Sequence, residues 1–285
     1  MATRKFRCKV CGYVHTGDSA PEKCPVCQAP ASEFEEIVEQ SQAAPKKKGI
    51  DTNSNVYTIV YASVMVIIVA FLLAFVSSAL KPMQDANVSL DKKKQILAAL
   101  NIRNLSDAEA TQKYVDVVVA DAIIDATGKI VAKGEKGGEK TAFVLNSSDF
   151  KAGKLAVYFC EVDGQKKYVL PVYGMGLWGP IWGYLALDDD RNTVFGVYFN
   201  HESETAGLGA EIKDSEQWQQ QFRGKKIFKA GTQDIGLSVV KKVTDAATQC
   251  DGITGATLTM DGVTAMFADC LKEYKVFLTN EMQEE

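Results

Sequence analysis

The chain has 285 residues, of which 46% are hydrophobic and 24% charged, and its formal net charge is −4. This composition is typical of a folded protein and excludes disorder along the whole chain. The slight acidic excess argues against nucleic acid as a partner, because nucleic-acid-binding proteins usually carry a basic surplus that neutralises phosphates.

Two Cys-x-x-Cys pairs lie within the first 27 residues, Cys8 with Cys11 and Cys24 with Cys27. Such knuckles place four thiolates at tetrahedral angles around one metal ion, iron or zinc. The segments CKVCGY and PEKCPVC, followed by Phe34, resemble the rubredoxin-like module of rubrerythrin-type proteins over residues 1–38. The resemblance implies one iron ion held by these four cysteines. A structural zinc ribbon that docks another protein remains the alternative.

Residues 39–55, which include SQAAPKKKG, have the proline, small residues and lysines of a flexible linker. Residues 56–80 then contain no charge and exceed the ~20 apolar residues that cross a lipid bilayer as a helix. They predict a single uncleaved membrane helix.

Orientation cannot be read from the lysines, because they flank the predicted membrane helix on both sides. Four thiolates that hold a metal need a reducing compartment, which favours a cytoplasmic N-terminus. We therefore expect a protein of the bacterial inner membrane whose residues 81–285 lie on the periplasmic, extracytoplasmic side.

Residues 81–285 predict a single α+β domain with a mostly antiparallel sheet. Helical patterns cover residues 91–100, 106–119 and 215–222, and the second begins with the capping-box pair Ser106 and Glu109. Strand-like runs begin at Leu155, Lys166, Tyr184, Thr193 and Leu237.

The last predicted helix has apolar residues at helical spacing from Val263 to Leu278, and Thr259 or Asp261 is placed to cap it. The small, hydroxylated stretch DGITGAT, residues 251–257, lies directly before it. Unpaired amides and the positive end of a helix dipole favour a phosphate at such a position. Taken alone, however, the stretch is more typical of an ordinary capped turn.

Two further segments are rich in glycine or hydroxyl groups: GMGLWGPIWGYLAL at residues 174–187 and HESETAGLGAEI at residues 201–212. The glycines of the first would let a flat ring ligand approach the backbone, although a hairpin and a surface loop are the simpler interpretations. Together with DGITGAT and one membrane helix, these segments closely resemble the C subunit of the sodium-translocating NADH:quinone oxidoreductase.

This resemblance implies an FMN joined to a threonine by a phosphoester bond that a separate flavin transferase makes. It assigns the flavin to Thr257, within a motif formed by Asp251, Thr254, Gly255, Ala256 and Thr257. It also implies flavin contacts from Leu177, Trp178, Glu204, Thr205, Leu208 and Gly209. The chain would pass electrons from NADH towards quinone inside a complex that exports sodium, with other subunits as partners and no catalytic site of its own.

Two features depart from the family pattern: Ala206 replaces a usual proline, and the rubredoxin-like module is an addition. Because roughly 30 Å of hydrocarbon would separate the iron from the flavin, we expect the iron to exchange electrons with a cytosolic donor or acceptor, or with a neighbouring subunit's membrane cofactor. The alternative family is the G subunit of a ferredoxin:NAD oxidoreductase-type complex. Cys160, Cys250 and Cys270 are expected to be buried small residues, with a disulfide between two of them as the alternative.

Overall fold

The structure, a computed structural model, describes residues 4–37, 52 and 54–279. Most of the linker predicted over residues 39–55 lies outside the described residues. The chain divides into two units, Met1–Ser78 and Ala79–Glu285, and each is described by itself.

The N-terminal module of the first unit is a small antiparallel sheet. Its strands are β1 (Arg4–Cys8), β2 (Val14–Gly17) and β3 (Phe34–Glu36), in the order β2-β1-β3. Within residues 4–37, only Cys8 and Cys24 are buried. The module therefore has almost no apolar core of its own.

The predicted membrane segment belongs to one long helix, α1 (Asn55–Ala99). Its apolar part reaches a mean hydropathy of 2.9 and is not buried against other parts of the chain. Residues 56–80 and 91–99 are helical as predicted, and the same helix also continues through residues 81–90 between them. The intervening residues are polar, but polar residues are compatible with a helix, and Pro82 removes only one backbone hydrogen bond.

The second unit is built on a six-stranded sheet. After α2 (Asp107–Val117), it contains β4 (Val118–Ile124), β5 (Ile130–Lys133), α3 (Ser147–Lys151), β6 (Leu155–Val162), β7 (Gln165–Met175), β8 (Pro180–Leu187) and β9 (Val194–His201). The order is β5-β4-β6-β7-β8-β9, and every neighbouring pair is antiparallel. The capping box of Ser106 and Glu109 forms as predicted.

The rest of the unit contains α4 (Glu211–Asp214), α5 (Glu216–Gln220), β10 (Ser238–Val240), β11 (Gln249–Asp251), α6 (Thr257–Glu273) and α7 (Lys275–Thr279). The short strands β10 and β11 pair in parallel. The α+β architecture with a mostly antiparallel sheet is thus confirmed.

The six-stranded sheet is buried on both faces, because alternate residues of its strands enter two different cores. On one face, Leu155 and Val157 of β6 join a core that includes Phe267 of α6. On the other face, Tyr158 of β6 joins a core with Leu97 of α1 and residues of α2. The helix α6 is therefore fixed against the sheet along its length.

The outer edge of β9 is occupied by other parts of the unit. The Asn101 side-chain amide donates to the Phe195 carbonyl at 2.8 Å, and Arg103 donates to the Val197 carbonyl at 3.1 Å. The Gly224 amide donates to the Val194 carbonyl at 2.8 Å. Side chains and loop backbone thus take the positions that a further strand would use.

Candidate functional site

The four N-terminal cysteines form a candidate metal centre. Their sulfur atoms all lie within 4.8 Å of one another. Cys8 and Cys24 are buried, whereas Cys11 is exposed and Cys27 partly so. A soft, four-sulfur donor set of this size suits tetrahedral iron or zinc.

The two knuckles that carry these cysteines have the same backbone geometry. The Gly12 amide donates to the Cys8 carbonyl, and the Gln28 amide donates to the Cys24 carbonyl, both at 2.9 Å. Gly12 and Gln28 both adopt positive φ, 77° and 62°. This turn leaves backbone amides free to donate to sulfur, as those of Tyr13 and Ala29 do to Cys11 and Cys27. Such hydrogen bonds stabilise metal-bound thiolates.

A second candidate site lies where three segments meet at the beginning of α6. These segments are the β7–β8 hairpin tip (residues 174–179), the loop after β9 (residues 202–210) and the turn before α6 (residues 252–256). All three contain residues that the sequence resemblance assigned to the flavin. The structure brings these distant parts of the chain together.

The turn before α6 ends at Thr257, which is exposed and is the first residue of the helix. Gly255 has a φ of 84°, a conformation that favours glycine, and Leu208 packs against it. Ala256 stands at the N-cap and supplies no side-chain hydrogen bond. The first amides of α6 therefore have no side-chain acceptor of the usual capping kind.

The expectation that Thr259 or Asp261 caps α6 is wrong. The helix begins at Thr257, so that both residues lie inside its first two turns. The Thr259 hydroxyl instead donates to a Glu204 carboxylate oxygen at 2.6 Å. The sequence pattern located the helix correctly, but it could not show that a long-range partner competes for this side chain.

Glu204 connects the hairpin tip and the loop after β9 to α6. Its second carboxylate oxygen accepts a hydrogen bond from the Trp178 amide at 2.8 Å. Its own amide donates to His201 Nδ1 at 3.2 Å. The Glu204 residue is 7% exposed, and Thr259 is 1% exposed. One buried carboxylate thus joins the hairpin tip, the loop after β9 and α6.

The glycines of the hairpin were expected to let a ring ligand approach the backbone. The structure gives another reason for glycine at these positions. A Cβ on Gly176 would lie 2.5 Å from Glu204 Oε1, and one on Gly174 would lie 2.7 Å from the Cβ of Met266. Likewise, a Cβ on Gly209 would lie 2.4 Å from Glu204 Oε2. These glycines make room for neighbouring protein atoms, which lets the segments pack closely around Glu204.

Large apolar side chains on these segments and on the first turn of α6 remain exposed. Five of them, which we call the apolar patch, are 41–66% exposed: Met175, Leu177, Trp178, Leu208 and Leu258. Exposed apolar groups concentrated around one point of a folded domain are typical of a ligand or partner site. An aromatic ring could lie against this patch while its phosphate lies at the beginning of α6, so the residues present fit an FMN.

The other predicted site residues lie around the same point. Thr254 is exposed in the turn, Thr205 is exposed in the loop after β9, and Asp251 is exposed at the end of β11. The sequence analysis did not identify Met175, Leu258 or the hydrogen bond from Thr259 to Glu204. An isolated glycine inside the helical pattern, Gly262, was a usable signal, since its Cβ position lies 2.3 Å from the Met175 carbonyl oxygen.

The remaining cysteines, Cys160, Cys250 and Cys270, are buried free thiols. Burial raises the pKa of Cys250 to about 12 and that of Cys270 to about 11, so both stay protonated at neutral pH. The Cys270 thiol donates to the Tyr173 carbonyl at 3.3 Å. They pack as small apolar residues, as expected, and no disulfide joins them.

Comparisons with known proteins match both modules. The family model "Rubrerythrin, rubredoxin-like domain" covers residues 6–35, and the model "FMN-binding domain" covers residues 176–272. The C subunit of the Na(+)-translocating NADH-quinone reductase of Haemophilus ducreyi is 34% identical over 235 residues, which are 76% of this chain and 89% of that protein. Its counterpart from Chlamydia muridarum is 46% identical over 127 residues, which span 39% of this chain and 40% of that protein.

A solved structure has the same fold. The crystal structure of the C subunit of this reductase from Parabacteroides distasonis superposes with a TM-score of 0.64 at 35% identity. The superposition covers 71% of this chain and 98% of the Parabacteroides distasonis chain.

Proposed function

Because the chain belongs to the family formed by the C subunits of Na(+)-translocating NADH-quinone reductases, we propose that it carries electrons through an FMN bound covalently to Thr257. The observation that carries this proposal is the exposed Thr257 hydroxyl at an uncapped helix start, beside the apolar patch. An FMN supplies electron transfer in one-electron or two-electron steps.

The residues of the site would have separate tasks. Thr257 would provide the oxygen of the phosphoester, and the first amides and dipole of α6 would stabilise the phosphate charge. The apolar patch, with Leu177, Trp178 and Leu208, would exclude water from one side of the ring. Asp251, Thr254, Thr205 and Gly209 would shape the surrounding turn and loop. A separate flavin transferase would make the bond, so that the chain needs no base of its own next to Thr257.

The test is mass spectrometry of the full chain produced together with an active flavin transferase. The wild type should gain the mass of FMN less water, on the peptide that contains Thr257. Thr257→Ala should lose this increment completely, while Thr232→Ala, an exposed threonine outside the site, should keep it. An unmodified wild type, with the transferase shown active on another substrate, would contradict the proposal.

For the N-terminal module we propose iron held by Cys8, Cys11, Cys24 and Cys27, which adds a one-electron carrier on the cytoplasmic side of the membrane. The support is the four-sulfur geometry and the match to a rubredoxin-like domain. The exposed Cys11 offers a short path for electrons to a docking partner. Deleting residues 1–40 should then change at least one electron-transfer rate of the intact complex, and unchanged rates would rule out a redox role.

The orientation follows from the same proposal. A thiolate site is kept reduced in the cytoplasm, so α1 would cross the inner membrane once and residues 81–285 would lie in the periplasm. The chain would transfer electrons towards quinone with the other subunits of a sodium-exporting complex. Both relatives compared above are C subunits, which favours this interpretation over the G subunit of a ferredoxin:NAD oxidoreductase-type complex.

A further inference from the structure

Glu204 forms hydrogen bonds to both the hairpin tip and α6 through one side chain. Its Oε1 accepts from the Trp178 amide at 2.8 Å, and its Oε2 accepts from the Thr259 hydroxyl at 2.6 Å. Both oxygens act as acceptors, as the oxygens of a carboxylate do. The carboxylate is therefore held, almost fully buried, against a residue that lies two positions after Thr257 in α6.

The core holds α6, so the segment whose position needs fixing at this point is the tip of the hairpin. Trp178 and Leu177 are exposed, so packing does not fix the tip of the hairpin. The Ser203 hydroxyl donates to the Trp178 carbonyl at 3.1 Å, but Ser203 itself is exposed in the loop after β9. The buried hydrogen bonds of Glu204 thus directly restrain the position of Trp178 relative to the first turn of α6.

We propose that Glu204 is a positioning residue that holds Trp178 and the first turn of α6 at a fixed spacing, and that its charge lowers the reduction potential of a flavin bound there. The second part rests on the proposed function. A buried anion opposes the arrival of further negative charge nearby, because the interior screens charges less than water does.

Two substitutions of Glu204 distinguish the effect of its hydrogen bonds from the effect of its charge. Glu204→Gln keeps an acceptor for the Trp178 amide, and its NH2 group can donate to Thr259 Oγ1, so the spacing survives while the charge is lost. Glu204→Ala loses both the hydrogen bonds and the charge. Thr259→Val removes one hydrogen bond with little change of shape. Glu202→Ala, an exposed glutamate of the same loop, is the matched control.

The first measurement is amide hydrogen exchange of the full-length chain in detergent, produced without the flavin transferase. Glu204→Ala should exchange faster than the wild type in residues 174–179 and 202–210, and Thr259→Val should show a smaller increase. Glu204→Gln and Glu202→Ala should match the wild type. Unchanged exchange in a folded Glu204→Ala would overturn the positioning role, and so would equal acceleration in Glu204→Gln. If Glu204→Ala does not fold, Thr259→Val decides between these outcomes.

The second measurement is the flavin midpoint potential of the modified chain, with Glu202→Ala again as the control. The flavin-bearing fraction of Glu204→Gln should have a higher potential than the wild type, whereas an unchanged potential would overturn the charge effect. The two proposals fail in different ways. A wild type without flavin at Thr257 would defeat the proposed function, while the exchange measured on the unmodified chain would still test the positioning role.

Discussion

The interface between α6 and the hairpin tip has no room for an added side-chain atom at Gly262. A Cβ at this residue would lie 2.3 Å from the Met175 carbonyl oxygen and 3.3 Å from the Gly176 Cα. Both are backbone atoms, which cannot move aside as a flexible side chain can. The second turn of α6 therefore sits as close to the hairpin as two backbones allow.

Gly262→Ala should lower the thermal unfolding midpoint of the second unit and reduce flavin attachment. An alanine inside an exposed helix normally gains ~1 kcal/mol over glycine. Here overpacking should reverse that gain with a net cost of about 1–3 kcal/mol. The measurement is thermal unfolding of the purified protein, followed by mass spectrometry after flavin transfer.

Gly252→Ala is the control for that substitution. Its nearest neighbour would be Met260 Cγ at 3.4 Å, which is ordinary contact, and its backbone has no positive φ. Its midpoint should stay close to that of the wild type. A Gly262→Ala variant as stable as this control would show that the hairpin can move away from α6 without cost.

Short motifs predicted which residues belong to the sites, but they did not predict the contacts between residues of different motifs. The four cysteines are predictable, because their spacing alone carries a metal site, and the structure gathers their sulfurs. Thr257 stays a prediction from the motif around it. The hydrogen bonds of Glu204 could not be predicted, because its partners Trp178 and Thr259 lie 26 and 55 residues away in the sequence. No local sequence pattern indicates such distant pairs.

At the scale of elements, the turn between β8 and β9 depends on one carboxylate. Asp190 accepts hydrogen bonds from the amides of Asn192 at 3.0 Å and Thr193 at 2.7 Å, and from Lys226 Nζ at 3.2 Å. Desolvation acts to raise its pKa, but these hydrogen bonds and that of the Thr193 hydroxyl outweigh it. Together they lower the pKa of Asp190 from the ordinary 3.8 to about 2.

This turn should therefore lose stability in acid. A carboxyl whose pKa is lower in the folded state contributes stability above its unfolded value, and the contribution disappears as the pH falls through the folded value. The difference in unfolding free energy between wild type and Asp190→Asn should be constant above about pH 5 and shrink between about pH 4 and pH 2. Urea unfolding at several pH values measures it. Asp234→Asn, an exposed loop residue, is the control, and a difference that persists at pH 2 would contradict the assignment.

Elements with strong local periodicity were predictable, and those defined by their neighbours were not. The runs that form β6 to β9 were recognised from alternation and turn residues, and their starts agree within a few residues. The strand β4 was missed because Val118–Ile124 follows α2 without a break, so its apolar residues read as the end of that helix. The three residues of β11 form a strand through their pairing with β10, which is not visible in the local sequence.

At the scale of the whole chain, the two modules obtain their stability from different sources. Residues 4–37 bury only two cysteines, whereas the second unit has apolar cores on both faces of its sheet. A chain of about 40 residues or fewer rarely folds without a metal, a disulfide or a partner. The N-terminal module should thus depend on its metal, and the second unit should not.

Removal of the metal tests this division. Treatment with a strong chelator should unfold residues 4–37, seen as loss of amide protection there, while the thermal transition of the second unit stays unchanged. Cys24→Ala should have the same effect, and Cys160→Ala, a buried cysteine outside the cluster, should leave the metal content intact. Metal analysis of the untreated protein should give one iron per chain and a red, reducible centre. A colourless zinc protein would leave the module a structural role.

The composition of the chain predicted this division into modules, because clustered cysteines, an uninterrupted apolar run and an ordinary globular sequence follow one another. What the sequence could not show was the continuity of α1, since Pro82 and the polar residues around it are typical of a helix end. The end of the apolar run at Leu80 is consequently not a break in the secondary structure.

The bonded outer edge of β9 also limits how this domain can assemble with other subunits. Exposed edge strands commonly recruit a strand from another chain through shared backbone hydrogen bonds. Asn101, Arg103 and Gly224 already bond to three carbonyls in the first half of this edge, which such strand addition would need. Along this half of the edge, contacts to other subunits must form through side chains and loops, and contacts of that kind can be broken and remade during turnover without opening the sheet.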